Sequence, residues 1–267
     1  MQVMCLNGWG GKLHGVLLPY LAETRPHVLC LQEVVHTPDA PRERLTYRDG
    51  DHILPQRARF FAEVAAALPD HAPVFCPAAQ GVLWDGPVSV PSQWGLATFV
   101  HKSLVIIGQT QGFVHKDFSA VGYGAHPRSR SAHAVRLCDP TSNQRVTVAH
   151  MHGLRDLGGK HDTPARAAQA RRFADLALAT ARPGDAVVAC GDFNVEPDSQ
   201  TLRILRDHGL NDLVTGRGHD GTRTSHYTKP GRFADYMTVS ADLAEAPFQV
   251  VRDPEVSDHC PLLLTID

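Results

Sequence analysis

Ala186-Val187-Val188-Ala189-Cys190-Gly191-Asp192-Phe193-Asn194 is the stretch that decides the fold of this chain. An apolar run followed by a glycine reads as a buried strand that stops at a turn. Asp192 and Asn194 then stand at the strand's C-terminal end, aiming a carboxylate and an amide into one place. A carboxylate there can hold a hard divalent cation or orient a water, and an amide can hydrogen-bond a substrate oxygen. The same residues also read as a polar turn built from local turn formers.

The design recurs on both sides of this stretch. Val3-Met4-Cys5-Leu6 runs into Asn7, and Val28-Leu29-Cys30-Leu31 runs into Gln32-Glu33. Val146-Thr147-Val148-Ala149 leads into His150-Met151-His152-Gly153. Asp235 follows Phe233-Ala234, and Ser257-Asp258-His259 precedes the apolar run from Cys260 to Leu264. Open α/β sheets place ligands just beyond their strand ends. A chain whose strands end repeatedly in acid/base or metal-type residues therefore reads as one active site. Taken singly, each residue has a plainer reading. Asn7 suits a turn before Gly8, Glu33 a solvated strand end, Asp258 a cap, and Asp235 a surface acid. His150 and His152 alternate with Met151 and share one face of a strand, and His150 reads as a packed core histidine.

The ordered set Asn7, Gln32-Glu33, His152, Gly191-Asp192-Phe193-Asn194, Asp235 and Ser257-Asp258-His259 resembles the endonuclease/exonuclease/phosphatase superfamily, which includes DNase I and the deadenylases. The likeness spans essentially the whole chain. It implies an α/β fold, a four-layer sandwich of two mixed β-sheets flanked by helices, as a single domain over residues 1–267. It implies a divalent-metal-dependent hydrolase of phosphate esters, a phosphodiesterase or nuclease in which metal-activated water attacks phosphorus. A small-molecule or lipid phosphoesterase and a non-catalytic binding scaffold are the alternatives. The implied cofactor is Mg²⁺ or Mn²⁺, with Asn7, Glu33 and Asp258 as its ligands. His152, Asp192, Asn194, Asp235 and His259 take the catalytic roles, His259 lying against the scissile phosphate and oriented by Asp235. The family often reads Asn-Thr-His-Leu where this chain has His150-Met151-His152-Gly153. Motif order opposes a calcineurin-like metallophosphoesterase, since here His-x-His precedes Gly-Asp.

The chemistry asks for these groups. Phosphodiester cleavage builds negative charge on phosphoryl and leaving oxygens, and a divalent cation on oxygen donors offsets it. A histidine near neutral pKa transfers the proton, and a carboxylate partner sets its tautomer.

Composition sets the bounds. A length of 267 residues, 43% of them hydrophobic, supports a substantial core. A net charge of −2 and no basic tract speak against avid duplex binding. The six cysteines are scattered with no Cys-x-x-Cys, which points to a reduced, cytoplasmic setting. No leader is expected before the first strand, no apolar run is long enough for a membrane span, and no obligate protein partner is evident. The expected partner is the phosphate-ester substrate, nucleic acid among the candidates.

Further elements follow from local signals. Helices are expected over Leu13 to Thr24, Phe60 to Leu68 and Thr201 to His208. Thr163-Pro164 should cap and start another, running to Ala179. Residues 36–56 read as a loop or insertion, and residues 77–94 as a Gly/Pro loop holding Trp84 and Trp94. Residues 109–131 interleave Phe113, Phe118, Tyr123 and His126 with Arg128 and Arg130, either a surface excursion or a phosphate-and-base binding stretch. The loop over 215–232 precedes Asp235, and its Arg223 and Lys229 are candidates to meet a phosphate.

Overall fold

The chain's apolar runs become strands of two facing sheets. The computed structural model describes the backbone of residues 1–267 and every side chain except that of His52. The strands are β1 (Gln2–Asn7), β2 (Val28–His36), β3 (Arg44–Asp49), β4 (His52–Arg57), β5 (His71–Asp85), β6 (Val88–His101) and β7 (Val105–His115). They continue with β8 (Arg130–Cys138), β9 (Arg145–His152), β10 (Ala186–Asp192), β11 (Asn211–Asp212), β12 (Asp235–Val239), β13 (Phe248–Val250) and β14 (Leu262–Thr265). The first sheet has the order β13-β14-β1-β2-β6-β5-β3-β4, and the second β11-β12-β10-β9-β8-β7. Both are mixed, because β1 pairs parallel with β2 and β9 with β10 while their other neighbours are antiparallel.

Alternation explains why β1 and β2 are apolar throughout. Val3, Cys5, Val28 and Cys30 join Val148, Val188 and Cys190 in the core between the sheets. Met4, Leu6, Leu29 and Leu31 face the other way, onto Leu17 and Leu21 of α1 (His14–Thr24) and Phe60 and Val64 of α2 (Phe60–Ala67). Strands covered on both faces need no polar side. The second sheet is covered by α3 (Pro164–Thr180), which packs across β7, β8 and β9. Thr163 caps it, its side chain accepting from the Arg166 backbone at 3.2 Å. The four layers are those the resemblance implies.

Two segments differ from the expectation of loops. Residues 44–57 form the β3–β4 hairpin, and residues 71–101 form the long β5–β6 hairpin with Trp84 and Trp94 inside strands. Their prolines are tolerated for positional reasons. Pro55 lies in β4, the edge strand, and Pro77 sits at a register shift between Pro77 and Ala79. The stretch over 109–131 is also divided. β7 continues to His115 and β8 opens at Arg130, leaving 116–129 as a loop. The helix expected from Thr201 begins one residue earlier, as α4 (Gln200–Asp207).

His150 is a core residue, as its sequence reading held. Thr98 Oγ1 lies 2.8 Å from His150 Nε2 and 2.7 Å from His133 Nδ1, and Gln32 Nε2 lies 3.2 Å from His150 Nδ1. Burial pushes His133 down to about 4 from 6.5. The folded form therefore keeps a neutral ring that the unfolded chain would protonate below about pH 6.5. The associated stability is fully present above that pH and is lost as pH falls towards 4. Between pH 7.5 and pH 5 the loss through His133 should be on the order of 2 kcal/mol. A His133→Gln variant should show that much less pH dependence in urea unfolding. Equal slopes in variant and wild type would refute this.

Candidate active site

Register brings the strand-end residues together. Asp192 of β10 is paired with His152 of β9 on one side and Asp235 of β12 on the other. Asn7 of β1 is paired with Gln32 of β2 in the opposite sheet. Asn7 Nδ2 donates to Asp192 Oδ2 at 3.0 Å, joining the two sheets, while its Oδ1 accepts from the Trp9 backbone at 3.0 Å. Ser257 Oγ donates to the Asn7 carbonyl at 2.7 Å and fixes the turn that carries Asp258 and His259.

Glu33 reaches the site through a bulge. Strict alternation would set it on the face of Leu29 and Leu31, under the helices. The β2–β6 register shifts between Leu31 and Val34, and Glu33 adopts φ 55°. A bulge re-aims a side chain, and a left-handed glutamate persists only where its surroundings impose it. Asn194 is also left-handed, at φ 54°, with its backbone N–H donating to Asp192 Oδ1 at 3.0 Å. Its amide side chain makes no hydrogen bond among the described residues. Gly191 has φ 146°, and a Cβ there would lie 2.0 Å from the Met151 carbonyl oxygen. Gly191→Ala should therefore cost about 3 kcal/mol or more in urea unfolding, by forcing β10 away from β9. A change below about 0.5 kcal/mol would show that the strand pair yields freely.

The histidine and its carboxylate form a buried pair. His259 Nδ1 is 2.9 Å and 2.8 Å from the two oxygens of Asp235. Thr222 Oγ1 accepts from the Ala234 and Asp235 backbones and holds this end of β12 in place. His259 is pushed down to about 4, by burial first and then by Arg223. Burial pushes Asp235 up to about 7. The hydrogen-bond geometry assigns the ring proton to Nδ1 and leaves Nε2 as an acceptor, which meets the Arg223 Nη1–H. Nε2 is 3.7 Å from Asp192 Oδ2 and 3.7 Å from Asp258 Oδ1. His152 Nε2 lies 3.6 Å from Asp192 Oδ2 and 4.0 Å from Glu33 Oε1, and His152 Nδ1 is buried with no hydrogen-bond partner among the described residues.

Arg223 and Lys229 part company. Arg223 forms an isolated bridge with His259 and is only 6% exposed. Its Nη1 donates to Asp258 Oδ2 at 2.8 Å and lies against His259 Nε2. Lys229 is exposed on the same loop, with no hydrogen bond or ion pair among the described residues.

Oxygen donors fit a hard cation here. Glu33 is pushed up to about 7 by burial and then by the negative charges of Asp258 and Asp192. A carboxylate crowded in this way is relieved by a divalent cation, and Asn7, Glu33 and Asp258 are the donor types that Mg²⁺ or Mn²⁺ takes. Asp192, Asp235 and His259 also converge, with ligand atoms within 4.8 Å of one another. Both Asp235 oxygens face the His259 Nδ1–H, so Asp235 is engaged with the ring rather than open to an ion.

Arg130, read in the sequence as part of a surface excursion or a phosphate-and-base binding stretch, lies at the site. It is 4% exposed, its Nε donates to the Gly153 carbonyl at 2.8 Å, and its guanidinium lies 5.0 Å from the Trp94 ring centroid. Glu33 and Asp192 are its nearest opposing charges. The sequence signal was the interleaving of aromatic and basic residues over 109–131. Arg166 anchors the loop after His152 by donating to the carbonyls of Leu154, Gly159 and His161. Lys160 of that loop reaches the Phe233 carbonyl.

A two-sheet sandwich with carboxylates and histidines gathered at its strand ends belongs to the DNase I-like class of folds. The chain is a member of the Endonuclease/Exonuclease/phosphatase family, whose profile matches residues 7–259. No curated protein sequence matches it. Among solved structures it is similar to a mannosyl-6-phosphatase of Bacteroides thetaiotaomicron VPI-5482, at 14% identity and TM-score 0.66 over 99% of this chain and 98% of that one. The human Nocturnin catalytic domain with bound sulfate is 18% identical, TM-score 0.61, over 99% and 93% of the two chains. D. rerio TDP2 complexed with a single-strand DNA product is 14% identical, TM-score 0.60, over 99% and 97%. At these identities the likeness concerns the fold.

Proposed function

We propose that this phosphoesterase is a divalent-metal-dependent phosphodiesterase. The observation that carries the reading is the convergence of Glu33, Asp192 and Asp258 on a His259–Asp235 pair at the joint between the sheets. Asn7, Glu33 and Asp258 would hold Mg²⁺ or Mn²⁺, which supplies neutralisation of phosphoryl charge and a lowered pKa for the attacking water. Asp192 orients that water, its Oδ2 fixed by Asn7 and its Oδ1 by the Asn194 backbone. The free Asn194 amide donates to a phosphoryl oxygen. His259, its Nδ1 held by Asp235, presents Nε2 to the phosphate and carries the proton there. Arg223 and Arg130 add fixed positive charge where negative charge grows, and His152 completes the wall between Asp192 and Glu33.

The related folds include a mannosyl-6-phosphatase and a TDP2 carrying a single-strand DNA product. These two support a phosphate ester in general and leave its organic part to this chain's own walls. The presence of every acid/base group favours turnover over a binding scaffold.

Hydrolysis of bis-p-nitrophenyl phosphate should stop in EDTA and return with Mg²⁺ or Mn²⁺, and p-nitrophenyl phosphate should be the poorer substrate. Turnover that resists EDTA would refute metal dependence. Faster cleavage of the monoester would refute the diesterase assignment.

A further inference from the structure

A pocket opens directly beside Glu33 and His152, and the reaction chemistry described above does not use its far walls. Trp94 forms one side, clasped by Arg130 at 5.0 Å and by the His152 ring at 5.4 Å between centroids. Tyr47 and Tyr123 form another, with ring centroids 5.6 Å apart, and Arg128 lies 5.6 Å and 5.8 Å from their rings. Leu54 of the β3–β4 hairpin adds an aliphatic wall.

These walls are held in place. Tyr123 packs on Gly81, where a Cβ would come within 2.8 Å of the ring. Arg128 Nη2 donates to Asp49 Oδ2 at 2.8 Å, and Asp49 also meets His126 Nε2 at 3.1 Å. Platforms fixed in this way are ready to stack on a flat group without first being ordered.

The lining selects among phosphate esters. With Arg128 paired to Asp49, it still sets Arg130 and Arg155 against one carboxylate, Glu33, so it favours a group that brings negative charge. Aromatic and aliphatic walls on more than one side favour a flat ring over a sugar, whose rim of hydroxyls asks for more polar partners. A lipid chain would leave the buried guanidinium of Arg130 facing hydrocarbon. A base still paired in a duplex has its edge and both faces occupied and does not enter a walled pocket.

We propose that this pocket takes one unpaired nucleobase of the substrate, placing the adjoining phosphoester against Glu33 and His259. The inference rests on the phosphodiesterase reading and narrows it to single-stranded or free nucleotide esters. Stacking on aromatic side chains is sequence-tolerant, so the pocket selects a base rather than a particular base.

The test is calorimetric titration with adenosine 5′-monophosphate and with ribose 5-phosphate, both in EDTA so that no turnover intervenes. The nucleotide should bind at least about tenfold more tightly. Tyr123→Ala should erase that difference by removing a platform, and Leu54→Arg should erase it by filling the pocket. In parallel, metal-supported cleavage of a single-stranded oligonucleotide should exceed that of the same sequence in a duplex. Equal affinity for the two phosphates, or a difference that survives both variants, would overturn the proposal. Turnover of bis-p-nitrophenyl phosphate with equal affinities would overturn the base pocket alone. A clear nucleotide preference with no diester cleaved would instead overturn the diesterase reading.

Discussion

His259→Ala should lower kcat on a phosphodiester by about three orders of magnitude while the fold survives. The imidazole is buried and hydrogen-bonded to Asp235 through Nδ1, with Nε2 turned to the site. Its loss removes the group that moves a proton at the phosphate and leaves Asp235 buried without its partner. Asp235→Asn should follow the same direction. An amide presents one oxygen and one NH₂ where the carboxylate presents two acceptors, so the ring is no longer held in the Nδ1–H tautomer. The measurement is single-turnover hydrolysis beside a thermal melt. A His259→Ala protein that melts normally and retains more than about a tenth of the wild-type rate would remove His259 from the mechanism.

Glu33→Gln should be equally severe for turnover and opposite in sign for stability. The substitution keeps the shape but removes the charge that a cation needs, so hydrolysis should fall by about three orders of magnitude or more. Crowding by Asp192 and Asp258 and burial raise the Glu33 pKa to about 7. A carboxyl whose folded pKa lies above its unfolded value destabilises the fold as pH rises past that value. In EDTA at pH 8 the Gln variant should therefore melt higher than wild type. Adding Mn²⁺ should raise the wild-type midpoint and leave the variant where it was. The Glu33 side chain is 31% exposed at the mouth, so the gain is smaller than full burial would produce. A variant that melts lower in EDTA, or that still responds to Mn²⁺, would place the cation elsewhere.

Much of the site could be read because strand ends are legible in one dimension. Apolar runs that stop at Asn7, Glu33, His152 and Asp192 became neighbouring strands, and sheet register did the rest. The strands within 44–57 and 77–93 were not legible, because proline and glycine mark loops unless the strand is an edge or carries a bulge. Both conditions are tertiary facts. Arg130 stood in the aromatic and basic stretch over 109–131, but its position was not legible there. An arginine in sequence looks solvated, and only the fold lays it over Trp94 and within reach of Glu33. Arg223 read as a loop cation, and its burial against Asp258 and His259 is a tertiary fact that the loop sequence does not show. The φ of 55° at Glu33 was not legible, since no local pattern announces a bulge between Leu31 and Val34.

The site is divided between the sheets, and this has a consequence for the newly made chain. Asn7 and Glu33 hang from one sheet, His152, Asp192 and Asp235 from the other, and Asp258 and His259 follow in the last strand's approach. A ribosome-bound chain that has not yet released residue 259 lacks the proton carrier, however well its earlier strands have paired. A released chain whose sheets have not docked holds two incomplete halves. On the proposed assignment, hydrolysis begins only once residue 259 is free to fold and the two sheets have docked, so neither half acts on a phosphodiester by itself.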